Sequence, residues 1–215
     1  MFDFYIQLLW GIYYSLALGL KAVLLCLPVS IVGAILLRKK TFFSRLILYG
    51  IDVFVALPHQ ILLISLAGIL GGSPHALLLS VFVTQVPGIL KHFRVHLLRA
   101  YDSPHVEAAR ALGVPAVLIF WKHILPRLWV PLSLSATSLI KRVILIESLV
   151  TFLGLGFDPL TPSLGRLISE GRGALFLNPA YFLAPVMTLI LCLIVLQSFS
   201  DRFSSLFRSR GIRYL

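Results

Sequence analysis

The stretch Ser103-Pro104-His105-Val106-Glu107-Ala108-Ala109-Arg110-Ala111-Leu112-Gly113, followed by His123-Ile124-Leu125-Pro126, decides how this chain is read. It is a short polar helix–turn–helix in a sequence that is otherwise mostly apolar. A loop joining two membrane crossings has no packing reason to repeat small residues and then break at a glycine. It has one if another protein must grip the loop.

The surroundings are those of a bilayer. Of 215 residues, 59% are hydrophobic and only 13% charged, which is too apolar for an ordinary soluble domain. Runs such as Ala22–Leu37, Ala76–Val86 and Tyr181–Val195 are free of charge, and with their flanks they approach the ~20 residues a crossing needs. The expectation is an all-α membrane protein with about five transmembrane helices, forming a single domain over residues 1–215. A large water-soluble core is the alternative, and the apolar fraction speaks against it.

The net charge of +11 would suggest nucleic acid in a soluble protein; here its distribution excludes that partner. Basic residues cluster at Arg38-Lys39-Lys40 with Arg45, from Lys91 to Arg127, and from Arg202 to Arg213. The stretches between, around Gly71–His75 and Leu153–Pro179, hold only Arg166 and Arg172, nearly balanced by Asp158 and Glu170. Such alternation follows the positive-inside rule, so the basic clusters are expected in the cytoplasm, next to anionic lipid headgroups. Five crossings then put the N-terminus outside and the C-terminus inside. Met1-Phe2-Asp3-Phe4 lacks a positive n-region and the first apolar stretch runs on to Leu37, so no cleaved signal peptide is expected. Cys26 and Cys192 lie in apolar spans without metal spacing and read as small fillers.

The spans are expected at Tyr14–Leu37, Leu46–Leu70, Ala76–Leu90, Pro131–Leu153 and Ala180–Ser200. The third continues as a polar helix over Lys91–Ala100, and a long external segment runs from the fourth to about Leu177. Pro58, Pro87 and Pro131 are expected to kink their helices. In the elbow, over about 95–126, Ser103 reads as an N-cap with Pro104 at the first helical position. Gly113 suits the left-handed end of that helix, Pro115 opens a second helix, and Pro126 limits it.

At these residues the chain resembles the permease subunits of bacterial ABC importers, whose signature is Glu-Ala-Ala, three residues, Gly, nine residues, then Ile-x-Leu-Pro. Here it stands as Glu107-Ala108-Ala109, Gly113 and Leu125-Pro126, with His123 in the Ile position, as is usual in the peptide/nickel branch. Asp52 with Pro58, Pro87-Gly88, Glu147 before Phe152-Leu153-Gly154-Leu155-Gly156, Pro159 with Thr161-Pro162-Ser163, Gly165 and Ser169-Glu170-Gly171-Arg172 extend the likeness over nearly the whole chain. They resemble the second, C-type permease of dipeptide, oligopeptide, nickel and metallophore importers. That branch usually carries a further N-terminal helix and external segment, which this chain begins after. It also has small or apolar residues in place of Lys141-Arg142.

The resemblance implies a type I ABC importer transmembrane fold with a cytoplasmic coupling helix. It implies half of a translocation pathway in the inner membrane, for peptides, nickel or a metal–opine or metallophore complex. Its partners would be a second permease subunit, two ATPase subunits or domains and an extracytoplasmic solute-binding protein. No cofactor is implied on this chain; ATP and Mg belong to the ATPase partners. Ser103, His105, Glu107, Ala108, Ala109, Arg110, Leu112, Gly113, Leu125 and Pro126 are the residues implied in ATPase coupling. An interfacial helix binding headgroups through Arg110 and His105 is the plainer reading, but it needs neither the glycine nor the Leu-Pro spacing.

Lys141 and Arg142 fall near mid-span, where each charge costs at least ~2.5 kcal/mol on insertion scales. Two readings stay open: with Glu147 they line the translocation path and draw anionic cargo, or they form structural pairs. Arg142 and Glu147 are about 140° apart on a helix, a poor intrahelical pair. Asp52 is expected to pair with a basic residue or cap a neighbour. His92 and His96 lie four apart beside Lys91 and Arg94, which fits a solvated face better than a metal site. The sequence holds no phosphate-binding Gly-x-x-x-x-Gly-Lys-Ser/Thr loop and no catalytic triad pattern, so a non-catalytic permease is expected. A stand-alone transporter or channel driven by an ion gradient is the rival class, although the internal repeat such folds often carry is not apparent.

Overall fold

The computed structural model describes residues 2–39, 41–71, 73–155 and 163–209. Of the residues singled out above, Met1, Lys40, Gly156, Asp158, Pro159, Thr161, Pro162 and Arg213 lie outside that set. Among the described residues the chain is helical: α1 (Phe2–Leu36), α2 (Phe42–Ala56), α3 (His59–Ile69), α4 (Pro74–Tyr101), α5 (Pro104–Ala111), α6 (Ala116–Ile119), a π-helical turn (Phe120–Ile124), α7 (Leu125–Phe152), α8 (Leu164–Gly173) and α9 (Ala180–Ser209). Four runs are long and apolar enough to cross a membrane: α1, α4, α6 through α7, and α9.

The second expected crossing is sharply bent, as a broken span or a re-entrant loop is. Residues 46–70 do not form one helix; α2 and α3 meet at 86°. Pro58 drives the residue before it out of the helical region, and Leu57 is extended at φ −71°, ψ 148°. Pro126 also departs from expectation. Instead of limiting the second elbow helix, it sits in the first turn of α7, and the helix runs through it. Proline has no N–H to give and crowds the carbonyl four residues back. The preceding turn widens to π, with the N–H of Leu125 reaching the carbonyl of Phe120. Pro28, Pro87, Pro131 and Pro185 all lie inside continuous helices.

Three buried clusters follow one another along the bundle, and α1 enters each. At one end Leu8 packs on Leu164 and Leu167 of α8. In the middle Leu18, Ala22 and Cys26 meet Leu63, Val81, Leu139 and Val143. At the elbow end Ala34 joins Phe93, Leu97, Val106 and Ile124. Lipid offers apolar side chains no driving force to associate, so helices in membranes bind through close packing at small residues. On α1 a Cβ at Gly19 would lie 2.9 Å from Cγ2 of Ile140, and one at Gly33 would lie 2.5 Å from Cδ1 of Leu90. These glycines let α7 and α4 approach.

α8 forms within the long segment after α7. Ser163 caps it, its Oγ accepting from the N–H of Arg166 at 3.3 Å. The first turn is wedged against two helices: a Cβ at Gly165 would lie 2.5 Å from Cα of Ser148, and one at Gly11 would lie 3.2 Å from the Leu164 nitrogen.

Candidate coupling and translocation site

The elbow begins where α4 runs out at Tyr101. Ser103 occupies the N-cap position of α5 with extended backbone, but its hydroxyl makes no cap bond. It donates instead to the carbonyl of Ala100 at 2.9 Å, tying α5 back to α4. At the other end of α5, Gly113 is left-handed at φ 74°. Its N–H reaches the carbonyl of Arg110 at 3.0 Å, and the N–H of Val114 reaches that of Ala109 at 3.1 Å. This pair of bonds is the Schellman closure that glycine permits. The expectation for Gly113 holds in detail, and the hydroxyl bond expected of Ser103 does not form.

A period of three then sorts the elbow into two faces. Ser103, Val106 and Ala109 point inward and are buried; Val106 is fully so. His105, Glu107, Ala108, Arg110, Ala111, Leu112 and Gly113 are exposed. Leu125 and Pro126 are half-buried in the first turn of α7. So Ser103 and Ala109 serve attachment to this chain, and the outward surface is narrower than the full set implied by the resemblance. Val106, which that set omits, is the principal anchor. Its signal was available in the i, i+3 spacing with Ser103 and Ala109.

Val106 and Ala109 enter the same buried cluster as Ala34 of α1, Phe93 and Leu97 of α4, and Leu128 of α7. The inner face of α5 is therefore packed into a cluster shared with three crossings.

The mid-span cations are satisfied by amides, not acids. Nη1 of Arg142 donates to Oε1 of Gln85 on α4 at 3.1 Å. Lys141 Nζ donates to Oε1 of Gln197 on α9, whose amide nitrogen reaches Asp201 at 3.0 Å. Arg142 is exposed on the face of α7 that also carries Leu145 and Leu149. Glu147 stands apart from both. It is fully buried, accepting from the Ser15 hydroxyl at 3.1 Å and from Thr151 at 3.3 Å. The structure thus brings Lys141 and Arg142 to adjacent faces of α7 and places Glu147 in packing between helices. Asp52 pairs with Lys91 at 2.7 Å, joining α2 to α4. His92 and His96 meet edge to face at 4.8 Å.

A bundle of membrane-length helices with an anchored polar elbow and two mid-span cations is the architecture of a multi-pass membrane protein. The family model for the binding-protein-dependent transport system inner membrane component matches residues 7–209, and this chain belongs to that family. It is 24% identical over 98% of its length to a probable peptide ABC transporter permease of Sinorhizobium fredii, covering 72% of that protein. It is 28% identical over 79% of its length to a putative peptide transport system permease of Brucella suis, covering 57% of it. It is also 26% identical over 93% of its length to a glutathione transport system permease of Shigella dysenteriae, covering 66% of it. The chain thus spans between about half and three-quarters of these relatives. An inward-facing structure of the MetNI methionine ABC transporter superposes with a TM-score of 0.73 at 19% identity, covering 94% of this chain and 96% of that one. The fold is that of a type I ABC importer permease.

Proposed function

We propose that this chain forms half of the translocation pathway of an ATP-driven importer for peptides or small peptide-like solutes, and that α5 is its coupling helix. The observation that carries the reading is the two-faced elbow. Its outer face is free for a partner, while Val106 and Ala109 root it in a cluster shared by α1, α4 and α7. Nucleotide-driven closure of two ATPase subunits, which hold the ATP and Mg, moves α5 as a rigid peg. The bundle then switches between inward- and outward-facing packings, a two-state rearrangement biased by the partner.

A second permease covers the open face of this chain, and a solute-binding protein delivers cargo on the side opposite the elbow. The elbow and the basic clusters lie in the cytoplasm, with the N-terminus outside, as the positive-inside pattern supports. Arg142 lines the path, where its charge escapes lipid, while Lys141 beside it ties α7 to α9. Peptide cargo is favoured by the peptide and glutathione permeases among the relatives; nickel and metal chelates have no such support. The test is reconstitution. The tagged chain should co-purify with an ATPase and a second permease, and proteoliposomes should take up peptide only with ATP and loaded binding protein. Uptake by the chain alone, without nucleotide, would refute the reading.

A further inference from the structure

Beside the elbow lies a cavity of about 400 Å³, lined by Arg38, Tyr101, Arg110, Gly113, Val114 and Ile119; Arg110 and Gly113 also belong to the set implied in ATPase coupling. The Arg38 guanidinium lies over the Tyr101 ring, 4.1 Å from its centroid, and that of Arg110 is 5.7 Å away. Nη2 of Arg110 also makes a long contact, 3.5 Å, with the Tyr101 carbonyl. Among the described residues neither arginine has an acidic partner: Asp102 and Glu107, the acids nearest Arg110 in sequence, form no ion pair with it, and Asp52, the acid nearest Arg38, pairs with Lys91. Two cations therefore face one aromatic ring with no anion between them.

We infer that this notch binds the phosphate headgroup of an anionic phospholipid. Three features favour lipid over a protein carboxylate. Arg38 directly follows the last apolar turn of α1, where the chain leaves the hydrocarbon. Val117, Leu118 and Trp121, just past the cavity wall, are exposed apolar side chains, and tryptophan favours the membrane–water interface. Exposed Lys39 adds a charge next to Arg38 in the chain, and basic pockets between helices on the cytoplasmic side are suited to headgroups. A bound headgroup would bridge the end of α1 to the coupling elbow, making the elbow's position depend on the surrounding lipid. The inference rests on the cytoplasmic assignment of this face; labelling of Arg38→Cys from either side of the membrane reports that assignment separately.

The test counts lipids retained by the purified full-length chain in native mass spectrometry, after exchange into mixed phosphatidylglycerol and phosphatidylcholine. Wild type should hold one phosphatidylglycerol with roughly tenfold or greater preference, on the order of what two basic residues contribute near an anionic surface. Arg38→Gln and, separately, the exposed Arg110→Gln should each lose that lipid, and Arg38→Lys should keep part of the preference. Equal retention in wild type and variants would overturn the inference. So would displacement of the lipid by soluble glycerol phosphate at equal concentration, which would assign the notch to free phosphate. Loss of ATPase co-purification from Arg38→Gln in lipid-free detergent, with the lipid count unchanged, would assign it to a carboxylate of the ATPase.

Discussion

The hydroxyl of Ser15 donates to Oε2 of Glu147 at 3.1 Å, joining α1 to α7 where both residues are fully buried. Thr151 Oγ1 donates to the other carboxylate oxygen from one turn further on, and Ser163, the cap of α8, lies against the same group. Glu147 thus organises three helices through hydroxyls, with no cation at its side among the described residues. Removing the carboxylate strands donors that have no water to turn to, at about 1–3 kcal/mol for each unsatisfied group. Glu147→Ala is expected to lower the thermal stability of the detergent-solubilised chain markedly, and Glu147→Gln much less. A melting temperature unmoved by Glu147→Ala would contradict this role.

Gly165 gives a sharper steric test. A methyl group there would meet the backbone of Ser148 at 2.5–2.7 Å, whereas one at Gly50 or Gly68 meets nothing within 4 Å. Backbone cannot swing aside as a flexible side chain does. Gly165→Ala should therefore destabilise by about 1–3 kcal/mol, as overpacking does, and should increase protease access to α8. Gly50→Ala should be neutral or slightly stabilising, since glycine within a helix costs roughly 0.5–1 kcal/mol relative to alanine. Equal melting temperatures for the two variants would show that α8 is not seated as described.

How much of this was legible beforehand depends on which physical signal each element carries. The crossings were readable because uncharged runs and basic clusters report the bilayer directly. The left-handed Gly113 was readable because few other residues end a helix that way. Three things were not. The 86° break at Leu57-Pro58 looks in sequence like the Pro87 and Pro131 sites, where the helices run on. The π turn before Pro126 is a response to that proline which no composition rule foretells. And the partners of Lys141 and Arg142 are glutamines more than fifty positions away, a pairing that only tertiary structure creates.

Val106 and Gly113 separate attachment of α5 from its shape. Val106→Ala removes two methyl groups from a fully buried site and should cost about 1–2 kcal/mol, each buried CH₂-sized group being worth roughly 0.8 kcal/mol. Gly113→Val forces a β-branched residue to φ 74°, where L-residues pay roughly 1–2 kcal/mol, and so re-aims the elbow. In the assembled importer, both should reduce peptide uptake more than ATP hydrolysis. Leu112→Ala, at an outward position 83% exposed, should leave the melting temperature unchanged and weaken ATPase association instead. A reversed pattern, with Leu112→Ala destabilising the chain and Val106→Ala silent, would invert the two faces of α5.

The last prediction concerns the cations of α7, which face different neighbours and should behave differently. Arg142 is exposed, held only by the neutral Gln85 amide, so its charge is open to whatever passes along or covers that face. Lys141 is tied to α9 through Gln197 and, beyond it, Asp201. Arg142→Gln should lower the rate of uptake of anionic peptides at saturating binding protein, with a smaller effect on neutral ones, because only the former exploit a fixed positive charge in a low-dielectric path. Lys141→Ala should loosen α9 and lower uptake of all cargo alike, which limited proteolysis of α9 would report independently. Were Arg142→Gln to reduce anionic and neutral cargo equally, the arginine would be a structural tie like its neighbour, and the positive face of α7 would belong to the contact with the second permease.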